Sequence, residues 1–326
     1  MYRKIFTPNE QNSSIGIDMG GTVIKIGLVQ AGKIIGFQSF PVVSKTIMPN
    51  LQHIEDVVDS LLVENNIHPS QLLGIGLASP GIVDPVRKTI IAINDKYEDA
   101  KEMDFSAWIK RNWDNVPFCM DNDARAATLG EWRYGAGKSY DNVVVVTIGT
   151  GIGTGVVIDG KPLYGKHFQA GSLGGHFVID HKGRRCTCGN KGCVEALASS
   201  SFLAEIIRSD ETLSCACRSQ ADTYDFNRLF ALWREGDADA VAICNACMDV
   251  WAAGIVNYIH AYDPEVVILG GGVMQSADII IPRLQERVDA LAWCPSGKVR
   301  LTVSELGSNA AILGMEYKLL ALNESL

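Results

Sequence analysis

One histidine and three cysteines crowd into the segment HFVIDHKGRRCTCGNKGC, as His176, Cys186, Cys188 and Cys193. Imidazole and thiolate are the ligands Zn²⁺ prefers, and a closed set of four is what a structural zinc site needs. The tight Cys-x-Cys pair, with Gly189 and Gly192 letting the backbone fold back, can gather three sulfurs around one point. The competing reading is a surface histidine beside three unrelated thiols, and His181 rivals His176 for the histidine position.

Three further stretches carry residue types suited to phosphate and proton chemistry. Asp18, Gly20, Gly21 and Thr22 form an Asp-x-Gly-Gly-Thr turn in which bare backbone N–H groups and one hydroxyl can approach a phosphate, and Gly149, Thr150 and Gly151 open a matching GTGIGTG run. Each alone is also an ordinary hairpin turn. Two such turns can hold neighbouring phosphates, with Asp18 facing Mg²⁺ through water, because that ion keeps much of its hydration shell. Asp121, Asn122 and Asp123 sit where a strand gives way to a helix. A carboxylate there either caps the helix or accepts a proton. Gly270, Gly271 and Gly272 follow the apolar run EVVIL, either as a tight turn or as bare backbone against a ligand.

The elements that must position these residues are legible in the apolar pattern. SIGIDMGGTVIKIGLVQAGKII and VVVVTIGTGIGTGVVIDGKPLY each read as strand, glycine turn, second strand and polar turn, at Gly32 or Gly160, so the chain holds two related α/β halves built on hairpins. PNLQHIEDVVDSLLVEN has helical spacing, LLGIGLASPG reads as a buried strand ending in a turn, and DNDARAATLGEWRYG reads as a capped helix. Helices are expected at FLAEIIR, FNRLFALWREG and AVAICNACMDVWAAGIVNYIHAY, a strand and turn at PEVVILGGGV, and a last helix in SNAAILGMEYKLLAL after Gly307.

Composition narrows the function classes. The 326 residues are 47% hydrophobic and 20% charged, enough for roughly two domains with a sizeable core. The 29 basic and 37 acidic residues leave a net charge of −8 with no run of like charges, so no nucleic-acid surface is expected. The N-terminal MYRKIFTPNEQNSS lacks a signal-peptide core, and no stretch is expected to reach the roughly 18 apolar residues of a membrane helix, so a cytoplasmic protein with no membrane partner is expected. Nine cysteines in a chain of this size read as three metal ligands and six reduced thiols.

The motifs IGIDMGGTVIKIGLV, ASPGIVD, MDNDARAATLGEW, TIGTGIGTGVVIDGK, AGSLGGHFVIDHKGRRCTCGNKGCVEALAS and LGGGV stand in the order found in the ROK family of sugar kinases and sugar-responsive repressors, and the chain resembles that family from about Ile15 to Gly314. The resemblance implies an α/β protein of the two-domain, actin-like, ribonuclease H-like fold with an interdomain cleft. It implies a smaller domain of residues 1–122 plus 309–326, onto which the last helix crosses back, and a larger one of 123–308 carrying the zinc. It implies an ATP-dependent kinase, glucokinase- or N-acetylmannosamine kinase-like, acting on the 6-hydroxyl of a hexose or N-acetylhexosamine. Asp123 matches the general base in the Asn-Asp-Ala pattern; Pro80, Gly81, Asn94, Asn122, Asp123, His176 and Glu195 match sugar-side positions. Asn94 and Glu195 read equally as a turn residue and a helix N-terminal carboxylate. Gly271 and Gly272 match the turn against adenosine. The family's dimers and tetramers imply a homodimer or homotetramer here.

Two departures fall on the substrate side. Leu173 stands where family kinases carry the glutamate of Glu-x-Gly-His, so either Ser172 or another polar group substitutes, or the sugar presents an apolar or bulky group there, or catalysis is impaired. The stretch INDKYEDAKEMDFSAW is longer and more charged than the family's short loop. A non-catalytic sugar-binding or regulatory member of the family is the alternative. The family's repressors carry an N-terminal helix-turn-helix domain, for which a first strand near Ile15 leaves no room.

Overall fold

In the strand Ser13–Met19 (β1) every residue is buried, as a central strand covered on both faces requires. The computed structural model describes residues 13–93 and 96–323, and these group into two compact units: those up to 139 with 159–172 and those from 305 onward, and 140–158 with 173–304. The helix Asp123–Tyr134 belongs to the first unit, because the C-terminal helix of the same unit packs directly on it.

The first unit follows β1 with β2 (Val23–Gln30), β3 (Lys33–Pro41), α1 (Ile47–Glu64), β4 (Leu72–Ser79), the short β5 (Ile82–Asp84) and β6 (Thr89–Ala92), α2 (Phe105–Trp113), β7 (Phe118–Asn122) and α3 (Asp123–Tyr134). Its sheet runs β3-β2-β1-β4-β7, the first three strands antiparallel and the last three parallel. The β2–β3 turn places Ala31 at φ 51° and Gly32 at φ 76°, two successive left-handed residues as a tight hairpin turn demands. Thus β7 ends with Asn122 and α3 begins with Asp123, at the C-terminal end of parallel strands where α/β sheets hold their ligands.

The second unit holds β8 (Val143–Ile148) and β9 (Ile152–Ile158), an antiparallel hairpin; the two-residue β10 (Lys161–Pro162) follows in the chain. Then come α4 (Val194–Ala198), α5 (Leu203–Ser209), α6 (Cys215–Ser219), α7 (Phe226–Glu235), α8 (Ala238–Tyr262), β11 (Val266–Gly270), α9 (Ala277–Leu291) and β12 (Arg300–Val303). Strands β9-β8-β11-β12 are neighbours, with β8-β11 and β11-β12 parallel. Both halves therefore build a hairpin and extend it with parallel strands, as the internal echo implied.

Among the described residues α8 alone is long and apolar enough, by length and composition, to cross a membrane, against the expectation that no stretch would be; half of its most apolar window is buried. Its inward residues, among them Ile243, Met248, Trp251, Ile255 and Ile259, face a core shared with α4, α7 and α9. The last helix, α10 (Ala310–Asn323), packs on α3, β1 and β4 of the first unit. A methyl group on Gly130 of α3 would overlap the Ala310 carbonyl oxygen, and one on Gly314 of α10 that of Ala126, so both glycines permit the helices' contact.

Candidate functional site

The first unit gathers the candidate acid-base residues. Asn122 is the N-cap of α3: its Oδ1 accepts from the Arg125 N–H at 3.0 Å, while its Nδ2 donates to the Gly81 carbonyl and to Asp123 Oδ1, each at 3.0 Å. Gly81 sits at φ 89°, where a Cβ would strike the Ala92 carbonyl, so the Pro80-Gly81 turn packs tightly beside this corner. Asp123 Oδ1 also accepts from the Ala124 N–H at 2.8 Å. Burial, and then the Asp18 carboxylate, push the Asp123 carboxyl up to about 6. Asp18 lies 3.0 Å from Lys25 Nζ, and its own carboxyl is raised by burial, which Lys25 partly offsets. A single carboxylate of this kind suits Mg²⁺, which takes most of its ligands from water and substrate phosphate. Gly20 and Gly21 are half-buried and Thr22 is exposed.

Asp121 has a different role from that of a cap. It is fully buried, its Oδ1 accepting from Arg125 at 2.7 Å and from the Asn122 N–H at 2.8 Å, while its Oδ2 accepts from Tyr164 at 2.8 Å and from Lys318 of α10. Burial works to raise its carboxyl, but Lys318 and Arg125 outweigh that and hold it below the usual carboxylate range. The Arg125 guanidinium also reaches the Phe168 carbonyl at 3.0 Å and lies over the Tyr164 ring at 4.5 Å from its centroid. No sequence spacing announces this cluster, because Lys318 and Tyr164 come from distant parts of the chain. Ser172 is tied into it as well, accepting from Arg125 and donating to the Gln169 carbonyl, so its hydroxyl already has partners.

The expected sugar residue Asn94 lies outside the described residues. The segment just after it is anchored. Tyr97, 1% exposed, donates to the Gly20 carbonyl at 2.8 Å, and Asp99 accepts from the Ile47 N–H that opens α1. Lys96 lies along Gly21: a methyl group there would overlap its Nζ and Cε and come within 2.6 Å of Cδ. The only sequence signal for this placement is the unusual length and charge of the segment.

The second unit carries the other glycine turns. The Gly149 and Thr150 carbonyls accept from the Ser200 and Ser201 N–H groups, and Glu195 Oε2 accepts from the Ile152 N–H at 2.8 Å, so Glu195 braces this turn from α4. Gly271, at φ 94°, leaves no room for a side chain against the Ile148 carbonyl, whereas Gly149 and Gly272 face open space. The first is a packing glycine; the other two leave backbone open to a close approach. Leu173 is half-buried and precedes the single turn Gly174–His176, which Thr154 Oγ1 and Tyr258 Oη pin through the N–H and carbonyl of Gly174 at 2.9 Å each.

That turn delivers His176 to the cysteines. One ligand atom each from His176, Cys186, Cys188 and Cys193 lies within 4.8 Å of every other. His176 Nδ1 is 3.6 Å from Cys186 Sγ, and Cys188 Sγ is 3.7 Å from Cys193 Sγ. A tetrahedral zinc with bonds near 2.3 Å sets its sulfurs about 3.8 Å apart, so the set fits Zn²⁺. Gly189 and Gly192 take φ 90° and 69°, which makes the fold-back possible. With Nδ1 turned to the thiols, Nε2 of His176 is left for another partner.

A two-domain α/β fold with paired hairpin turns and a carboxylate at a strand-to-helix corner defines a phosphotransfer protein of the actin-like class. The ROK family model matches residues 14–321, and the chain belongs to the ROK family. It is 32% identical over 309 residues to a glucokinase of Thermotoga maritima, across 92% of this chain and 95% of that one. It is 29% identical over 304 residues to the xylose repressor of Bacillus subtilis, across 93% of this chain and 75% of the repressor. The crystal structure of a ROK family glucokinase from Streptomyces griseus, in complex with glucose and AMPPNP, superposes with a TM-score of 0.78 at 24% identity, covering 93% and 98% of the two chains. These likenesses support a sugar kinase.

Proposed function

We propose that the protein transfers the γ-phosphoryl group of ATP to the 6-hydroxyl of a hexose or N-acetylhexosamine, with Asp123 as the general base. One observation carries this reading: of two carboxylates two residues apart, Asp121 is enclosed by Arg125, Tyr164 and Lys318, whereas Asp123 opens α3 at the end of β7 with bonds from the Asn122 amide and the Ala124 N–H, its carboxyl raised by burial and Asp18 to about 6. A structural carboxylate and a proton acceptor are thereby separated. The sugar hydroxyl gives its proton to Asp123 as its oxygen bonds to phosphorus. The bond from phosphorus to the bridging oxygen breaks, and ADP leaves with the electron pair.

The open backbone at Gly149 and Gly272 and the turn at Gly20, Gly21 and Thr22 would take the phosphates and nucleoside. Mg²⁺ near Asp18 would neutralise phosphate charge. Asn122, Pro80, Gly81, Asn94 and Glu195 would meet sugar hydroxyls, as would Nε2 of His176, whose orientation the zinc fixes. Leu173 accepts no hydrogen bond, so a hydroxyl buried against it costs on the order of 1 to 3 kcal/mol. The preferred sugar presents a substituent, an apolar face or a missing hydroxyl there. The enzyme would work in the cytoplasm as a homodimer or homotetramer.

The likeness to a xylose repressor favours a second reading, a sugar-binding regulator without turnover. A coupled ADP-release screen over glucose, allose, N-acetylmannosamine, N-acetylglucosamine and a β-glucoside separates the two. Turnover on at least one sugar, with plain glucose not the best, is expected. Sugar binding without ADP release on any of them contradicts the kinase.

A further inference from the structure

We propose that Lys96 is a further catalytic residue, its ammonium binding the phosphoryl group in flight between ATP and the sugar. The inference rests on the kinase reading above and deepens it. The Lys96 side chain lies along Gly21, so its charge stands at the turn to which that reading gives phosphate. The placement is built rather than incidental. The next residue, Tyr97, adopts a left-handed φ of 47°, buries its ring and donates to the carbonyl of Gly20, one residue before the glycine that Lys96 covers. Asp99 fastens the same segment by accepting the Ile47 N–H at 2.9 and 3.2 Å. Further on, α2 is held to α1 by Trp108 Nε1 and Asn112 Nδ2 donating to Glu55 and by Trp113 Nε1 donating to Asp59.

Gly21 is needed for this arrangement, since any side chain would displace the lysine. The ammonium also acts on the base: Asp123 is raised by burial and by Asp18, and Lys96 pulls it the other way. A cation at the phosphate turn, whose field is also felt at the base, suits a step in which negative charge spreads over the equatorial oxygens of a metaphosphate-like group. Lys96 itself neither gains nor loses a proton. Bond making and breaking remain those of the kinase step, and the ammonium supplies fixed positive charge where it develops.

The test compares Lys96→Met, Lys96→Ala and the control Lys101→Met, an exposed lysine on the same segment, on the best sugar of the wild-type enzyme. Lys96→Met should lower kcat by about 10²-fold or more, the loss seen when one preorganised donor to a developing charge is removed, with a smaller change in KM for the sugar and an unchanged melting temperature. Lys101→Met should match wild type. Added ethylammonium should restore part of the Lys96→Ala rate with saturation, which a merely structural lysine would not allow. A Lys96→Met kcat within about threefold of wild type, or a loss confined to sugar KM, overturns the assignment, as does a slow Lys96→Ala enzyme that no amine rescues. Wild type that turns over no sugar overturns the kinase reading itself, and is seen before any variant is made.

Discussion

Asp123 and Asp121 share a strand-to-helix corner and part company in their surroundings. Asp121 is enclosed by Arg125, Lys318 and Tyr164, a buried network whose loss of one member costs about 3 to 5 kcal/mol. Asp123 accepts from the Ala124 N–H and the Asn122 amide, and burial and then the Asp18 carboxylate raise its carboxyl to about 6. The sign of the consequence is fixed. A base must be ionised, so kcat/KM for the sugar should fall about tenfold per pH unit below an apparent pKa near 6 and level off above it. A pH–rate profile flat between about pH 5 and 7 would remove Asp123 from that role. Sequence alone left Asp123 open between cap and base, because a carboxylate at the start of a helix serves either. The structure gives the cap to Asn122, whose Oδ1 takes the Arg125 N–H.

At the scale of elements, what was legible followed short-range pattern. The two hairpins, the helices at Phe226–Glu235 and Ala238–Tyr262 and the strand Val266–Gly270 lie where apolar periodicity placed them. Helix α9, with Pro282 inside it, and helix α2, hidden in a charged stretch, were not read from the sequence. Their signals depend on packing: α2 gains its place from Trp108 and Trp113 reaching carboxylates on α1. The zinc segment is the converse, being short-range chemistry with little regular structure. Between His176 and Cys193 it has only the isolated bridges Val178–Cys193 and Arg185–Lys191 and a few turn bonds. A metal is the natural staple for such a segment. Elemental analysis should find one zinc per chain. Cys188→Ser should lose it and lower the melting temperature by on the order of 5 °C, the size of a loss of about 2 kcal/mol in a domain of this length. Full stability in protein free of zinc would contradict the assignment.

For the whole molecule, a sheet of hairpin plus parallel strands occurs twice, and the chain matches the ROK family from residue 14 to residue 321. Family membership was legible because six motifs kept their order. The buried cluster around Asp121 and the lysine over Gly21 were not, because each joins residues that only folding brings together. The overall likeness favours catalysis over sensing, with 32% identity across 95% of a glucokinase against 29% across 75% of a xylose repressor, but it does not choose the sugar or the catalytic base. The choice lies with the intact protein and a phosphorus-31 NMR time course of ATP with its best sugar. Stoichiometric appearance of ADP and a sugar 6-phosphate, slowed by about 10²-fold or more in Asp123→Asn, is the predicted result. ATP left intact by the wild-type protein, or an Asp123→Asn protein forming the ester as fast as wild type, would contradict the account.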